Sequence, residues 1–221
     1  MRAALYSGGK DSTLAVHKIH EMRKPVDLLI SVVSENDFSY MFHKPNIKFT
    51  SLQAESMGIR HIFFDTEGKK EEELGDLEAA LKENGVTEVV TGAVASTYQK
   101  NRVDVICQKL GIIHHSPLWG IDPEKELKEL SERFNVIITQ VSAEGFDESM
   151  LGKRIDEDMI KALIKLHERY RVNLLFEGGE AESFVLDAPL FKKRIEIKSA
   201  RKERMGTVAR YVIEEAELAD K

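Results

Sequence analysis

Two short segments of this 221-residue chain carry residue types and spacings that can do chemistry. The first is Ser7-Gly8-Gly9-Lys10-Asp11-Ser12, set between the apolar run Ala3–Tyr6 and a stretch of helical periodicity. A glycine pair lets the backbone turn with positive φ and approach a ligand without Cβ interference. The free N–H groups of such a loop, with the N-terminus of the following helix, make an anion site. Lys10 adds a cation, Ser7 and Ser12 add hydroxyls, and Asp11 is placed to orient the loop or hold a metal ion. Hydrogen bonds to a charged partner are worth about 1.5–3 kcal/mol each, so several of them hold a polyphosphate. The plainer alternative is an ordinary glycine turn with a capping serine. The Walker pattern and the Gly-x-Gly-x-x-Gly fingerprint are both absent, which points away from kinases, GTPases and dehydrogenases.

The second segment is Glu177-Gly178-Gly179-Glu180-Ala181-Glu182-Ser183-Phe184. Three carboxylates around a flexible Gly-Gly turn repel one another, so one of them should hold its proton more tightly than usual. Composition alone equally describes a solvated acidic turn before a strand. Other candidates weigh less. His17 and His20 have a spacing that can bind metal, but no third ligand is evident, and they read as a surface or half-buried pair. His114-His115 ends a strand, and Glu67–Glu73 reads as a solvated helix start. Cys107 is a core residue beside Val103, Ile106 and Leu110. Trp119 reads as packing at a domain junction, and Arg201-Lys202-Glu203-Arg204 as decoration of a turn.

The elements that must position these residues alternate through the first half. After Ala3–Tyr6 comes a helix with Leu14, Ala15, Ile19 and Met22 on one face, stopped by Pro25. Val26–Val33 reads as a buried strand, Asn46–Met57 as a helix ending at Gly58, and Arg60–Phe64 as a strand. Then follow a helix over 71–82, a strand over 88–91, a helix over 103–110 and a strand over 112–114. Strands separated by helices imply parallel βαβ units with both sheet faces covered. After Pro117-Leu118-Trp119-Gly120 the texture changes. Asp122-Pro123 starts a helix carrying Leu127, Leu130 and Phe134, and Asp156-Glu157-Asp158 starts another. Strands are expected over 136–141, 184–186, 191–197 and 208–214. The expectation is an α/β domain over 1–120 and a smaller α+β domain over 121–221.

Composition bounds the rest. With 42% hydrophobic residues, 14 Gly and 5 Pro, the chain is neither disordered nor fibrous. A single cysteine excludes an internal disulfide and a Cys-based zinc site, and suggests a reducing, cytoplasmic setting. No apolar run reaches the ~18 residues of a membrane span, and the motif follows so directly on Met1 that no signal peptide is expected. A net charge of −6 argues against a nucleic-acid coat, and the 32% of charged residues fits a heat-adapted source.

The first motif resembles the PP-loop of the N-type ATP pyrophosphatases. That resemblance implies an adenine-nucleotide α-hydrolase-like, Rossmann-like fold, cleavage of ATP between the α and β phosphates, and Mg²⁺ as counterion, with Asp11 as the candidate ligand. It places adenine between strand ends near Val33 and Gly92. Three further segments resemble the diphthine–ammonia ligases, of archaeal-like type. These are Gly92-Ala93-Val94-Ala95-Ser96-Thr97-Tyr98-Gln99 followed by Arg102, then Pro117-Leu118-Trp119-Gly120, and the segment Glu177–Phe184 running on to Pro189-Leu190-Phe191. Ser183 stands where a threonine is commoner, and keeps the hydroxyl.

The resemblance implies ATP-dependent amidation of diphthine on translation elongation factor two. The carboxylate would be activated as an acyl-adenylate, and free ammonia would displace AMP. No residues are left over for a glutaminase, so ammonium itself is the expected nitrogen source. Lys10 and Asp11 would act in the loop. Glu177, Glu180 and Glu182 would hold ammonium and take its proton, or attract the trimethylammonium group of diphthine beside Tyr98, Trp119 or Phe184. Family members often keep a histidine at the position of His43, which is weighed as a ligand contact. Arg102 either reaches phosphate or is exposed to solvent. No membrane or direct nucleic-acid partner is expected, and a homodimer stays open. The alternatives are a tRNA-modifying PP-loop pyrophosphatase and a nucleotide sensor without turnover.

Overall fold

The computed structural model describes residues 1–34, 46–66 and 72–221. Its first half is a five-stranded parallel sheet. The strands are β1 (Arg2–Leu5), β2 (Leu28–Ser34), β3 (Arg60–Thr66), β4 (Glu88–Val90) and β5 (Ile113–His115), in the order β3-β2-β1-β4-β5. Helices α1 (Lys10–Glu21), α2 (Thr50–Met57), α3 (Glu72–Glu83) and α4 (Thr97–Leu110) connect them. The chain runs outward from β1 to β3, then returns to the other side of β1 as β4. The order therefore reverses between β1 and β4, and the crevice outside the carboxyl ends of such strands is where open α/β sheets bind ligands. The loop at 7–9 leaves β1 at that point.

Alternation along the strands feeds two cores. Ala3, Leu28, Ile30 and Val89 face α3 and α4 and pack with Leu77, Leu81, Val103, Ile106 and Cys107. Ala4, Leu29 and Val90 face the other way, toward Leu14, Ala15 and Ile19 of α1. This second core does not stop at the first sheet. It continues through Phe134, Val136, Ile138, Leu163, Phe184 and Ile213 of the second half.

That half comprises α5 (Pro123–Arg133), β6 (Asn135–Val141), α6 (Glu157–Tyr170), β7 (Ala181–Asp187), β8 (Arg194–Met205) and β9 (Val208–Ala219). Its strands form an antiparallel sheet in the order β7-β6-β9-β8. Asp122 caps α5 by accepting from the Lys125 N–H at 2.9 Å, with Pro123 in the first turn. Asp156 caps α6 in the same way through Met159, at 2.9 Å.

Several boundaries differ from the sequence expectation, and two differences bear most on the fold. Helix α4 starts at Thr97 rather than residue 103, with the Ser96 hydroxyl as its cap. Its first turn and a half is polar and faces a cavity, so it shows no apolar period. Arg201-Lys202-Glu203-Arg204 lies inside strand β8, and the turn comes at Gly206. The hairpin outruns the core there. Its charges pair with acidic neighbours, as in Arg201–Glu214 at 2.9 Å, and leave no hydrophobic alternation to read. Among the described residues, no helix is long and apolar enough to cross a membrane.

Candidate functional site

A cavity of about 500 Å³ opens at the β1/β4 switch point. Its walls come from the glycine loop, the segment after β4 and the segment 175–183 of the second half. Gly8 has φ +76°, and a Cβ there would lie 2.5 Å from Gln53 Oε1 and 2.9 Å from the Thr50 methyl. Its carbonyl is turned inward, accepting from Val185 N and Gln53 Nε2, both at 3.0 Å. Across a trans peptide the next N–H, that of Gly9, points the opposite way. The hydroxyls of Ser7 and Ser12 meet at 3.2 Å, and Ser12 also donates to the Gly9 carbonyl at 3.2 Å. No side chain caps α1 at Gly9. The helix thus presents its positive end beside the loop, as an anion site requires. Gly92 closes the other side. A Cβ on it would sit 2.7 Å from Asp11 C and Ser12 N, so only glycine allows the β4 segment to touch the start of α1.

Lys10 and Asp11 occupy the middle. The Lys10 ammonium is 1% exposed; it donates to Asp11 Oδ1 and, at 2.7 Å, to the Leu175 carbonyl. The Phe176 ring lies 5.3 Å from the same nitrogen. Burial alone lowers the proton affinity of a lysine, but Asp11, Glu126 and Glu177 outweigh it and the net shift is upward. Glu126, on the first turn of α5, is fully buried 3.9 Å from the ammonium. Neither of its oxygens has a hydrogen-bond partner among the described residues. Burial, followed by the charge of Asp11, pushes its pKa well above the carboxylate range. Nothing in the sequence singled Glu126 out, since it sits among the charged positions of an amphipathic helix.

The second half reaches into this site directly. The Ser183 hydroxyl accepts the Lys10 backbone N–H at 3.1 Å, and Phe184 packs under Gly8. Phe176 takes a positive φ of +67°, a costly conformation for a bulky residue, and turns the chain into Glu177. Glu177 accepts from the N–H groups of Ser96 at 2.8 Å and Ala95 at 3.4 Å. Burial and the nearby Asp11 charge raise its pKa. Glu177 and Glu182 line the cavity. Glu180 does not: its two oxygens accept from Asn173 N at 2.7 Å and Gly178 N at 2.9 Å, closing its own loop. The structure therefore gathers two of the three expected glutamates at the cavity, because backbone donors capture the third.

Other expected residues distribute as follows. Ser7, Gly9, Lys10, Asp11, Ser12 and Gly92 line the cavity, with Tyr98 opposite. Gly8 shapes the loop from behind. Val33 lies beside the lining residue Val32, its side chain on the opposite face of β2. Arg102 stands one turn behind Tyr98, with its guanidinium donating to the Tyr98 hydroxyl, and is not part of the lining. His43 lies outside the described residues. Trp119 is 41% exposed, with Lys100 over its ring at 5.5 Å, rather than buried as packing. His17 is buried, not at the surface. Its Nδ1 bonds the Thr13 carbonyl at 2.8 Å, and its Nε2 accepts from the Leu190 N–H at 2.9 Å. It thereby pins Pro189-Leu190-Phe191 to α1, while His20 is exposed. Gln140 and Arg210 also line the cavity, and the sequence reading passed over both.

A Mg²⁺ ion bound mainly by nucleotide phosphates needs only one or two protein carboxylates. Asp11, cavity-facing with its side chain 29% exposed, fits that requirement. Among the described residues no group of three or more potential metal ligands occurs.

Comparison with known proteins identifies the family of this chain. Residues 1–114 match the model of the diphthamide synthase N-terminal domain, and residues 122–219 that of the diphthamide synthase C-terminal domain. The diphthine–ammonia ligase of Homo sapiens is 34% identical over 222 residues, covering 90% of this chain and 83% of that protein. The diphthine–ammonia ligase of Danio rerio is 35% identical over 217 residues, covering 86% and 84%. Among solved structures, a predicted subunit of tRNA methyltransferase from Methanocaldococcus jannaschii aligns with 86% of this chain and 98% of that one. Its 18% identity and TM-score of 0.46 are too low to bear on function.

Proposed function

This chain belongs to the diphthamide synthase family, and from that premise we propose that it amidates diphthine on translation elongation factor two, using ATP and free ammonia. The observation that carries the reading is the direct bonding of the 177–185 segment to the glycine loop. Ser183 and Val185 bond the loop and Glu177 bonds the 95–96 backbone, which supports reading the polyphosphate place and the acceptor place as one cavity.

A carboxylate is a poor electrophile, and adenylation makes its oxygen a good leaving group. The acceptor carboxylate oxygen attacks the α-phosphorus of ATP, the bond to the bridging oxygen breaks, and pyrophosphate departs. Ammonia then attacks the acyl carbon, the carbon–oxygen bond breaks, and AMP leaves with that oxygen. The loop N–H groups and the start of α1 stabilise charge on the departing pyrophosphate. Asp11 would hold Mg²⁺, which would supply further charge neutralisation at the phosphates. Lys10 holds the loop and the 175–177 turn in one geometry. Glu177, with its raised proton affinity, takes the proton that ammonium loses on becoming a nucleophile. Glu182 faces the cationic end of the acceptor, and Glu180 keeps the turn in shape. In this reading residues 1–120 bind ATP, residues 121–221 bind the acceptor, and the reaction runs in the cytoplasm.

The test is product analysis. With ATP, Mg²⁺, ammonium and diphthine-bearing elongation factor two, AMP and pyrophosphate should appear only when the factor is present. The factor should lose about one mass unit as its carboxyl becomes an amide. ADP and phosphate as products would refute the reading, and pyrophosphate release that depends on tRNA would replace it with RNA modification.

A further inference from the structure

Three polar side chains stand in a row across the second sheet on the cavity wall. Gln140 on β6 pairs directly with Glu182 on β7 and with Arg210 on β9. Residues directly opposite in antiparallel strands share a face, and all three line the cavity. Glu182 and Arg210 are separated by two strand spacings, about 10 Å between backbones, and their long side chains can converge over Gln140. The Arg210 Nε donates to Gln140 Oε1 at 2.8 Å. That is its hydrogen bond among the described residues, so the two terminal nitrogens of the guanidinium keep their donors for a ligand. With its carbonyl taken by Arg210, Gln140 keeps its amide N–H donors as well. The backbone under Arg210 is also fixed. Asn46 donates to the Tyr211 carbonyl at 3.0 Å and accepts from the Ile213 N–H at 2.7 Å, tying β9 to the first half. The cavity wall thus carries a half-buried bidentate cation at one end of a row and a carboxylate at the other.

We propose that Arg210 and Gln140 bind the acceptor's carboxylate while Glu182 faces its quaternary ammonium, so that the row grips a betaine-like group by both charges. The proposal deepens the function proposed above and rests on it for the identity of the acceptor. Diphthine ends in a carboxylate and a trimethylammonium group on one carbon. Recognition of such a zwitterion needs an anion site and a cation site side by side. A guanidinium fork matches a carboxylate in geometry as well as charge, which a lysine cannot do. Arg210 stands on the acceptor side of the cavity, two strands from the β7 segment that touches the glycine loop. This favours the acceptor's carboxylate over the nucleotide's phosphates as its partner.

The experiment compares the wild type with Arg210→Gln and Arg210→Lys in three readouts. These are KM for the diphthine-bearing factor, ATP affinity by calorimetry, and binding of glycine betaine against choline by saturation-transfer NMR. Choline carries the same cation without the carboxylate. Arg210→Gln should raise KM for the factor at least tenfold, leave ATP affinity within twofold, and erase a wild-type preference for betaine. Arg210→Lys should fall between, since charge returns without the fork. An ATP affinity weakened tenfold with the betaine preference intact would assign the fork to phosphate and overturn the proposal. So would a variant unchanged in all three. A wild type that does not amidate the factor, yet prefers betaine in an Arg210-dependent way, would leave the clamp standing and refute the proposed function instead.

Discussion

The backbone N–H of Lys10 donates to the hydroxyl of Ser183 at 3.1 Å, joining the glycine loop to a strand 173 residues away. A first-turn N–H of α1, which has no partner within the helix, is thereby satisfied by the other half of the molecule. Ser183→Ala leaves that donor unpaired and should cost about 1–3 kcal/mol in urea unfolding. ATP affinity should fall with it. Ser183→Thr, which keeps the hydroxyl, should restore both, and an alanine variant indistinguishable from wild type would show that the bond does not matter.

Gly92 offers a sharper steric test. A methyl group there meets backbone atoms of Asp11 and Ser12 at 2.7 Å, so the start of α1 must move. A displacement of about 1 Å at a reacting centre can cost about 10²-fold in rate. Gly92→Ala should therefore lower AMP formation by about that factor while the protein stays folded by circular dichroism. Gly75→Ala is the control: it lies inside α3 with open space around it, and should stabilise by about 0.5–1 kcal/mol.

The glutamates separate by their partners. Glu177→Gln removes the proposed proton acceptor and should lower amide formation at limiting ammonium at least tenfold, with less effect at saturating ammonium. Glu180→Gln should leave the ammonium dependence unchanged. It should instead lower the urea midpoint, because one backbone donor of the 173–178 turn loses its acceptor oxygen and the other keeps only a neutral one. An ammonium KM raised only by the second variant would reverse these roles.

His17 makes stability depend on pH. Burial lowers its pKa to about 4, against 6.5 for the free side chain. Between those values the unfolded chain takes up a proton that the folded one refuses. Stability is therefore fully present above about pH 6.5 and falls as pH drops toward 4, by at most about 3 kcal/mol from this residue. His17→Gln should flatten the change in unfolding free energy between pH 7 and pH 4 by about that amount. Parallel losses in wild type and variant would rule the linkage out.

The parallel sheet was legible because its strands are short apolar runs, most fully buried at β1, β2 and β4, and separated by helices. The glycine loop was legible because Gly8, Gly9 and Lys10 have no comparable use in a plain turn. The residues that escaped are ones whose roles come from tertiary contact alone. Glu126 has the local surroundings of a solvated helical glutamate and becomes a buried acid only when α5 packs against α1. Gln140 follows Val136 and Ile138 on one strand face and Arg210 stands between Val208 and Val212, so nothing in the strand pattern marks either as facing a cavity. Glu180 was expected beside its two neighbours, but the turn at Phe176 and the donors at Asn173 and Gly178 draw it back.

The central claim is that one cavity joins ATP cleavage to acyl activation, and oxygen transfer tests it most directly. The factor's diphthine carboxylate is labelled with ¹⁸O and turned over with ATP and ammonium, and the AMP is examined by mass spectrometry. The account predicts one ¹⁸O in AMP for each amide formed, and none in pyrophosphate. Amide formation with unlabelled AMP, or label recovered in inorganic phosphate, would contradict it.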